Sequence, residues 1–176
     1  MPLHLVSCRS AAFSAVTLLT LCTSVMGATA HEDTAVSRVR SESPWIRDAI
    51  AEGRERSPTF HRLVAAIDAT DGVVYVQEGR CRRSVRACLH LSIGVAGPYR
   101  FLRVLLSTRK APGCELIASI GHELEHVLEV LRDPGVRSSQ DMYVFFDRKK
   151  PAGWRDAFET DEAEEVGMLV SREVCK

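Results

Sequence analysis

No sign of charge prevails in this 176-residue chain: 23 lysines and arginines balance 23 aspartates and glutamates. A neutral chain offers no electrostatic footprint for nucleic acid and no polybasic surface for a membrane. Arg80, Arg82, Arg83 and Arg86 do form a local basic cluster, which reads as a solvated loop. The apolar stretch Ala11 to Met26 falls short of the ~20 residues that a spanning helix needs. No C-x-x-C spacing occurs, which argues against a cysteine-rich zinc site. There is also no internal repeat and no low-complexity tract. With 45% hydrophobic and 26% charged residues, what remains is an ordinary globular domain with a sizeable core.

Acidic residues are absent from the first 30 positions, and Arg9 is the one lysine or arginine there. The apolar stretch is followed by Gly27 and then by Ala28-Thr29-Ala30, an A-x-A-like cleavage site, before composition turns polar at His31-Glu32-Asp33. This order predicts a secretory signal peptide over 1–30, a flexible mature N-terminus over 31–42 and a single domain over 43–176. The expected location is periplasmic or extracellular, with no membrane attachment once the signal is removed. Its removal leaves Cys81, Cys88, Cys114 and Cys175. An even number of cysteines in an exported chain points to disulfides. The favoured pairs are Cys81–Cys88, closing a short loop between strands, and Cys114–Cys175, tying the start of a helix to the C-terminus.

Ser43-Pro44 and Ser57-Pro58 each set a capping serine before a proline suited to the first helical position. They predict two short helices, the first ending at Gly53 and the second carrying Phe60, Leu63, Val64 and Ile67 at helical spacing. Asp71-Gly72 marks a turn, after which Val73 to Val76 reads as a strand. Leu89 to Val95 alternates and reads as a second strand, containing His90 as a packing or surface residue. Gly97-Pro98 is turn chemistry, and Tyr99 to Leu106 reads as a third strand closing a hairpin. Ala111-Pro112-Gly113 breaks the chain before a helix over roughly Cys114 to Leu131, with Leu116, Ile117, Ile120, Leu124, Val127, Leu128 and Leu131 as its apolar stripe. Asp133-Pro134-Gly135 stops that helix. A further helical segment carries Met142, Tyr143, Phe145 and Phe146, and Lys149 to Gly153 reads as a loop. A last helix is expected from about Asp156 to Val174. Trp45, Trp154, Phe145 and Phe146 are expected in the core or in helix packing.

The chemistry lies in His122-Glu123-Leu124-Glu125-His126, an H-E-x-x-H pattern. Positions i and i+4 of a helix lie on one face, so His122 and His126 can present two imidazoles to one zinc ion. Glu123, roughly 100° further round the helix, can reach a metal-bound water without ligating the metal, which is the place of a general base.

A catalytic zinc needs a third protein ligand. The pattern H-E-x-x-H-x-x-G-x-x-H would place glycine at 129 and histidine at 132, whereas the chain has Glu129 and Arg132, so that class is excluded. The remaining solution is a glutamate from a later helix. Glu159, Glu162, Ala163, Val166 and Val170 share a helical face, and small Ala163 would let that helix approach the motif helix closely. Glu159 is the expected ligand and Glu162 the runner-up. A plain acidic helix start, favoured by the macrodipole, is the competing reading of the same residues.

With H-E-x-x-H at 122–126 and a glutamate–three residues–small residue pattern at 159–163, behind a small sheet, the chain resembles the gluzincin branch of zincin metallopeptidases. Its length and order are similar to the compact minigluzincins and to exported bacterial zincin-like proteins. The resemblance covers roughly Val73 to Val174. It implies an α+β, zincin-like fold in which a small antiparallel or mixed sheet precedes the active-site helix and C-terminal helices. It further implies one zinc ion held by His122, His126 and Glu159, with Glu123 as catalytic base and a peptide or protein as substrate. Strand 99–106, or its neighbour, would be the edge on which that substrate pairs. Tyr143 and His90 are weak candidates for oxyanion stabilisation and are not placed in the site. The leading reading is thus a secreted zinc peptidase; a zinc-binding zincin-fold module without turnover is the alternative, and two structural histidines without metal a third. Oligomeric state is open.

Overall fold

The computed structural model describes residues 36–81, 85–107, 113–149 and 158–176. The expected signal peptide, Arg82, Arg83, Trp154 and the expected helix start at Asp156 lie outside the described residues. Strands and helices are mixed along the chain, giving an α+β fold. In chain order they are β1 (Val39–Arg40), α1 (Pro44–Arg56), α2 (Pro58–Asp68), β2 (Gly72–Glu78), β3 (Ala87–Leu89), β4 (Gly94–Ala96), β5 (Tyr99–Leu106), α3 (Cys114–Arg132), α4 (Ser139–Lys149) and α5 (Asp161–Val174).

The sheet runs β1-β2-β5-β3, with β4 also on β5. Strands β1, β2 and β5 are parallel, while β3 and β4 run antiparallel to β5. In β5, Arg100, Leu102, Val104 and Leu106 are buried on one face. Val74 and Val76 of β2 join them in a core closed by Phe60, Val64 and Ile67 of α2 and by the apolar stripe of α3. Two expectations change here. The described part of the segment read as a flexible N-terminus contributes β1, because Val39 is apolar, buried and paired with Val74. The alternating run Leu89 to Val95 is two strands rather than one. The Ser92 amide donates to the His90 carbonyl at 2.8 Å, and this i-to-i+2 closure breaks the strand.

Helix α1 runs three residues past Gly53, to Arg56. The Ser57 hydroxyl caps α2 by accepting from the Phe60 amide at 3.0 Å, whereas Ser43 makes no side-chain cap on α1. Phe146 is buried, with Phe145 and Trp45 packed against the core. Both expected disulfides are present, Cys81–Cys88 and Cys114–Cys175. Among the described residues no helix is long and apolar enough to cross a membrane.

Among the described residues Arg100 is the largest fully buried side chain. Its guanidinium donates to the Asp71 carboxylate at 2.7 and 2.9 Å and to the carbonyls of Val130, Leu131, Asp133 and Val136 at 2.7–3.1 Å. It thereby terminates α3, taking up carbonyls that a helix end leaves without partners. The Asp71 carboxyl is held below its ordinary value of 3.8, chiefly by its hydrogen bonds from Arg100. A carboxylate whose pKa is depressed by folding stabilises the native state above its unfolded pKa, and that contribution disappears as the pH falls through the folded value. Asp71→Asn is therefore expected to be less stable than the parent at pH 7. Its deficit should shrink as urea midpoints are measured below pH 3.8; a deficit independent of pH would show that the charge of Asp71 is not what matters.

Candidate metal centre

Helix α3 carries the H-E-x-x-H residues on a span whose apolar stripe is packed on both sides. From Gly121 to Leu131 every residue except His122 is buried. One turn separates His122 from His126, and their rings meet edge to face with centroids 4.8 Å apart. His126 is 3% exposed, and the Phe146 ring lies against it at 5.4 Å.

Glu159 comes from the other side of the cleft. Its Oε2 lies 3.1 Å from His122 Nε2 and 3.9 Å from His126 Nε2. One donor atom from each of the three residues falls within 4.8 Å of the others. Two imidazole nitrogens and one carboxylate oxygen suit a divalent ion such as zinc. The residue expected from the sequence is the one brought to the imidazoles, but for a different structural reason. Helix α5 begins at Asp161, not near Asp156, so Glu159 does not share its face. Thr160 is extended and its hydroxyl accepts from the Ala163 amide at 3.3 Å, which makes Thr160 the N-cap and leaves Glu159 ahead of the helix. The signal was legible as a threonine followed by Asp161, Glu162 and Glu164, an acidic first turn. Glu162 is exposed on that turn and does not join the cluster.

The close approach of α5 to α3 depends on more than Ala163, which is fully buried. A Cβ on Gly121 would meet Val170 at 3.0 Å, and one on Gly167 would meet the His122 Cβ at 3.2 Å. Neither glycine stood out in the sequence.

Ionisation at the cluster follows its burial and neighbours. Burial disfavours the charged imidazole of His122, but the hydrogen bond to Glu159 and the nearby Glu123 outweigh it and raise its pKa. That same bond from His122 holds the Glu159 carboxyl low. Glu123 is 8% exposed; burial pushes its carboxyl up against the opposing pull of His126, His122 and the Leu89 amide. The Leu89 N–H donates to Glu123 Oε2 at 2.6 Å, and among the described residues Oε1 has no hydrogen-bond partner. Glu129 is a further buried carboxylate, 2% exposed, that the sequence reading used only to exclude a ligand pattern. Its Oε2 accepts from His126 Nδ1 at 3.0 Å and from the Thr160 hydroxyl at 3.1 Å, and its Oε1 accepts from Lys149 Nζ at 2.9 Å. Burial alone would raise its pKa, but His126 and Lys149 overcome that and hold it ionised.

Above the cluster opens a cleft of about 1060 Å³, walled by Leu89 and His90 on the sheet side and by Phe158, Glu164 and Met168 on the other. His90 thus stands on the cleft wall rather than within a continuous strand. Its Nδ1 is 2.6 Å from the Ser92 hydroxyl, and burial and then Arg103 lower its pKa. Arg80 and Arg86 of the basic cluster also line this cleft. Tyr143 packs on Phe158 with ring centroids 5.4 Å apart. A second group, Cys114, Glu115 and Cys175, also has the donors for a metal, but its two sulfurs are joined in a disulfide. The chain matches no protein-family model, no curated protein and no solved structure.

Proposed function

We propose that this chain is an exported zinc-dependent metallopeptidase of gluzincin type on a zincin-like fold, with His122, His126 and Glu159 as metal ligands. The observation that carries this reading is one carboxylate oxygen of Glu159 lying 3.1 and 3.9 Å from the two Nε2 atoms at the floor of a cleft. Two neutral nitrogen donors, one carboxylate and an open side are the donor set of a catalytic zinc site. A zinc ion held by these residues would supply Lewis acidity at the floor of the cleft.

The protein's own residues supply the proton transfers and the positioning. Glu123 takes a proton from the attacking water through Oε1 and hands it to the departing amine. The Leu89 amide holds the other oxygen, so the carboxylate is aimed before substrate arrives. An extended peptide lies along the cleft wall to which β3 contributes Ala87 to Leu89. The strand expected for this role, β5, lies inside the sheet with β2 on one side and β3 and β4 on the other, so its own edges are taken. Two disulfides suit an oxidising compartment and support a periplasmic or extracellular site of action on peptide or protein substrates.

The burial of Glu123 to 8% exposure favours one second reading, a zinc-holding module without turnover. Zinc stoichiometry and hydrolysis of a broad peptide library separate the two. The purified chain is expected to hold one zinc ion, to cleave peptides in a chelator-sensitive manner, and to lose both properties in Glu159→Ala. Stoichiometric zinc with no cleavage selects the module, and absence of zinc uptake overturns both.

A further inference from the structure

We propose that Glu129 is the positioning residue for two of the three metal ligands, holding His126 directly and Glu159 through Thr160. This rests on the ligand set proposed above and adds to it the device that sets its geometry. Glu129 follows His126 by three residues on α3, so the two side chains share a helix face. A carboxylate only accepts hydrogen bonds. The 3.0 Å contact to Nδ1 therefore places the ring proton on that nitrogen and leaves the Nε2 lone pair for the cluster, the arrangement by which carboxylates orient histidine ligands.

The same oxygen receives the Thr160 hydroxyl at 3.1 Å. That hydroxyl also caps α5 by accepting from Ala163. One buried oxygen on α3 thus fixes the first residue of the α5 cap. Glu159 is the next residue back along the chain, one peptide unit from that anchor, so the place from which its carboxylate reaches the imidazoles is set by Glu129. Lys149, at the end of α4, supplies the third contact and the balancing charge. A side chain needed only to fill this space would do so better without charge, because burying an ion pair costs more desolvation than apolar packing does. The buried carboxylate is accounted for by what it aims.

The test measures zinc affinity of the full chain by chelator competition, alongside the visible spectrum of the cobalt-loaded protein, which reports ligand geometry without any substrate. Glu129→Gln is expected to weaken zinc binding by about 10–100-fold and to alter the cobalt spectrum. Thr160→Val should weaken it by about tenfold, with Thr160→Ser restoring the parent value. Glu125→Gln is the control: Glu125 is a buried carboxylate of the same helix, bonded to Arg132 at 2.9 Å and to neither ligand, and should bind zinc as the parent does. If Glu129→Gln fails to fold, the threonine pair decides alone. Parent-like zinc affinity and cobalt spectra in folded Glu129→Gln and Thr160→Val overturn the positioning role and leave the ligand set standing. A parent chain that takes up no zinc overturns the ligand set, and this role with it.

Discussion

Arg100→Met is expected to lower the free energy of unfolding by about 3 kcal/mol, because a fully buried guanidinium is withdrawn from acceptors at the end of α3 and from the partly exposed Asp71. Methionine keeps much of the length and apolar bulk of the side chain, so the loss comes from the guanidinium rather than from a cavity. Asp71 loses its partner, the carbonyls of Leu131 and Val136 lose the guanidinium N–H groups, and those of Val130 and Asp133 are left with the backbone amides of Asp133 and Val136 alone. Leaving a buried acceptor unpaired costs about 1–3 kcal/mol, although water reaching the end of α3 recovers part of it. Arg100→Lys should recover little, because a compact ammonium cannot serve carbonyls and a carboxylate arranged around a planar fork. The readout is the urea midpoint at neutral pH. A loss in Arg100→Met below about 1 kcal/mol, the range of an ordinary surface change, would show that the end of α3 does not depend on this residue.

Glu123→Gln is expected to abolish peptide hydrolysis while leaving zinc bound. The amide oxygen of glutamine can still accept from Leu89, so the side chain keeps its place, but it cannot take a proton from water. Loss of a positioned general base costs about 10²–10⁴-fold in rate, which places this substitution and Arg100→Met at the head of the expected effects on turnover and on stability respectively. Turnover is followed with a cleaved peptide and metal content by elemental analysis of the same sample. Full activity in this variant overturns the mechanism.

How much of this could be read from residues alone varies with the kind of interaction. Helix α3 was legible almost to its ends, since a broad apolar stripe, a break before Gly113 and Asp133-Pro134-Gly135 after it are all local signals. The disulfide pairs were legible because few cysteines remain once an export signal is assumed. The sheet was less so. The run Leu89 to Val95 keeps the alternation of a strand while Ser92 folds back on His90, and period-2 patterning has no means of recording a turn made by a backbone amide. Parallel pairing of β2 with β5 leaves no mark on either segment. Arg100 occupies an inward position of β5, yet an arginine there reads as a surface charge until Asp71 and the end of α3 are seen around it. Glu159 is brought to the imidazoles by a path other than the expected one. Helical spacing singled it out, whereas the threonine cap places it ahead of the helix. Glu129 carried its own signal, an acid three residues after a histidine on a buried face, but its value depends on Thr160 and Lys149, which only the tertiary fold brings near.

Helix α3 is fastened at its first residue by the Cys114–Cys175 bridge and at its last turn by Arg100. Fraying starts from free ends, and this helix has none, so it behaves as a beam with both supports fixed and with its two imidazoles near mid-span. Glu159 stands instead at a junction just outside a helix, on a side chain that is 32% exposed. The cluster therefore combines two side chains on one fixed span with a third that reaches in from a backbone anchored through Thr160. With the backbone held on both sides, the freedom left to the cluster is that of the Glu159 side-chain torsions, and the histidines are the reference against which its carboxylate is placed.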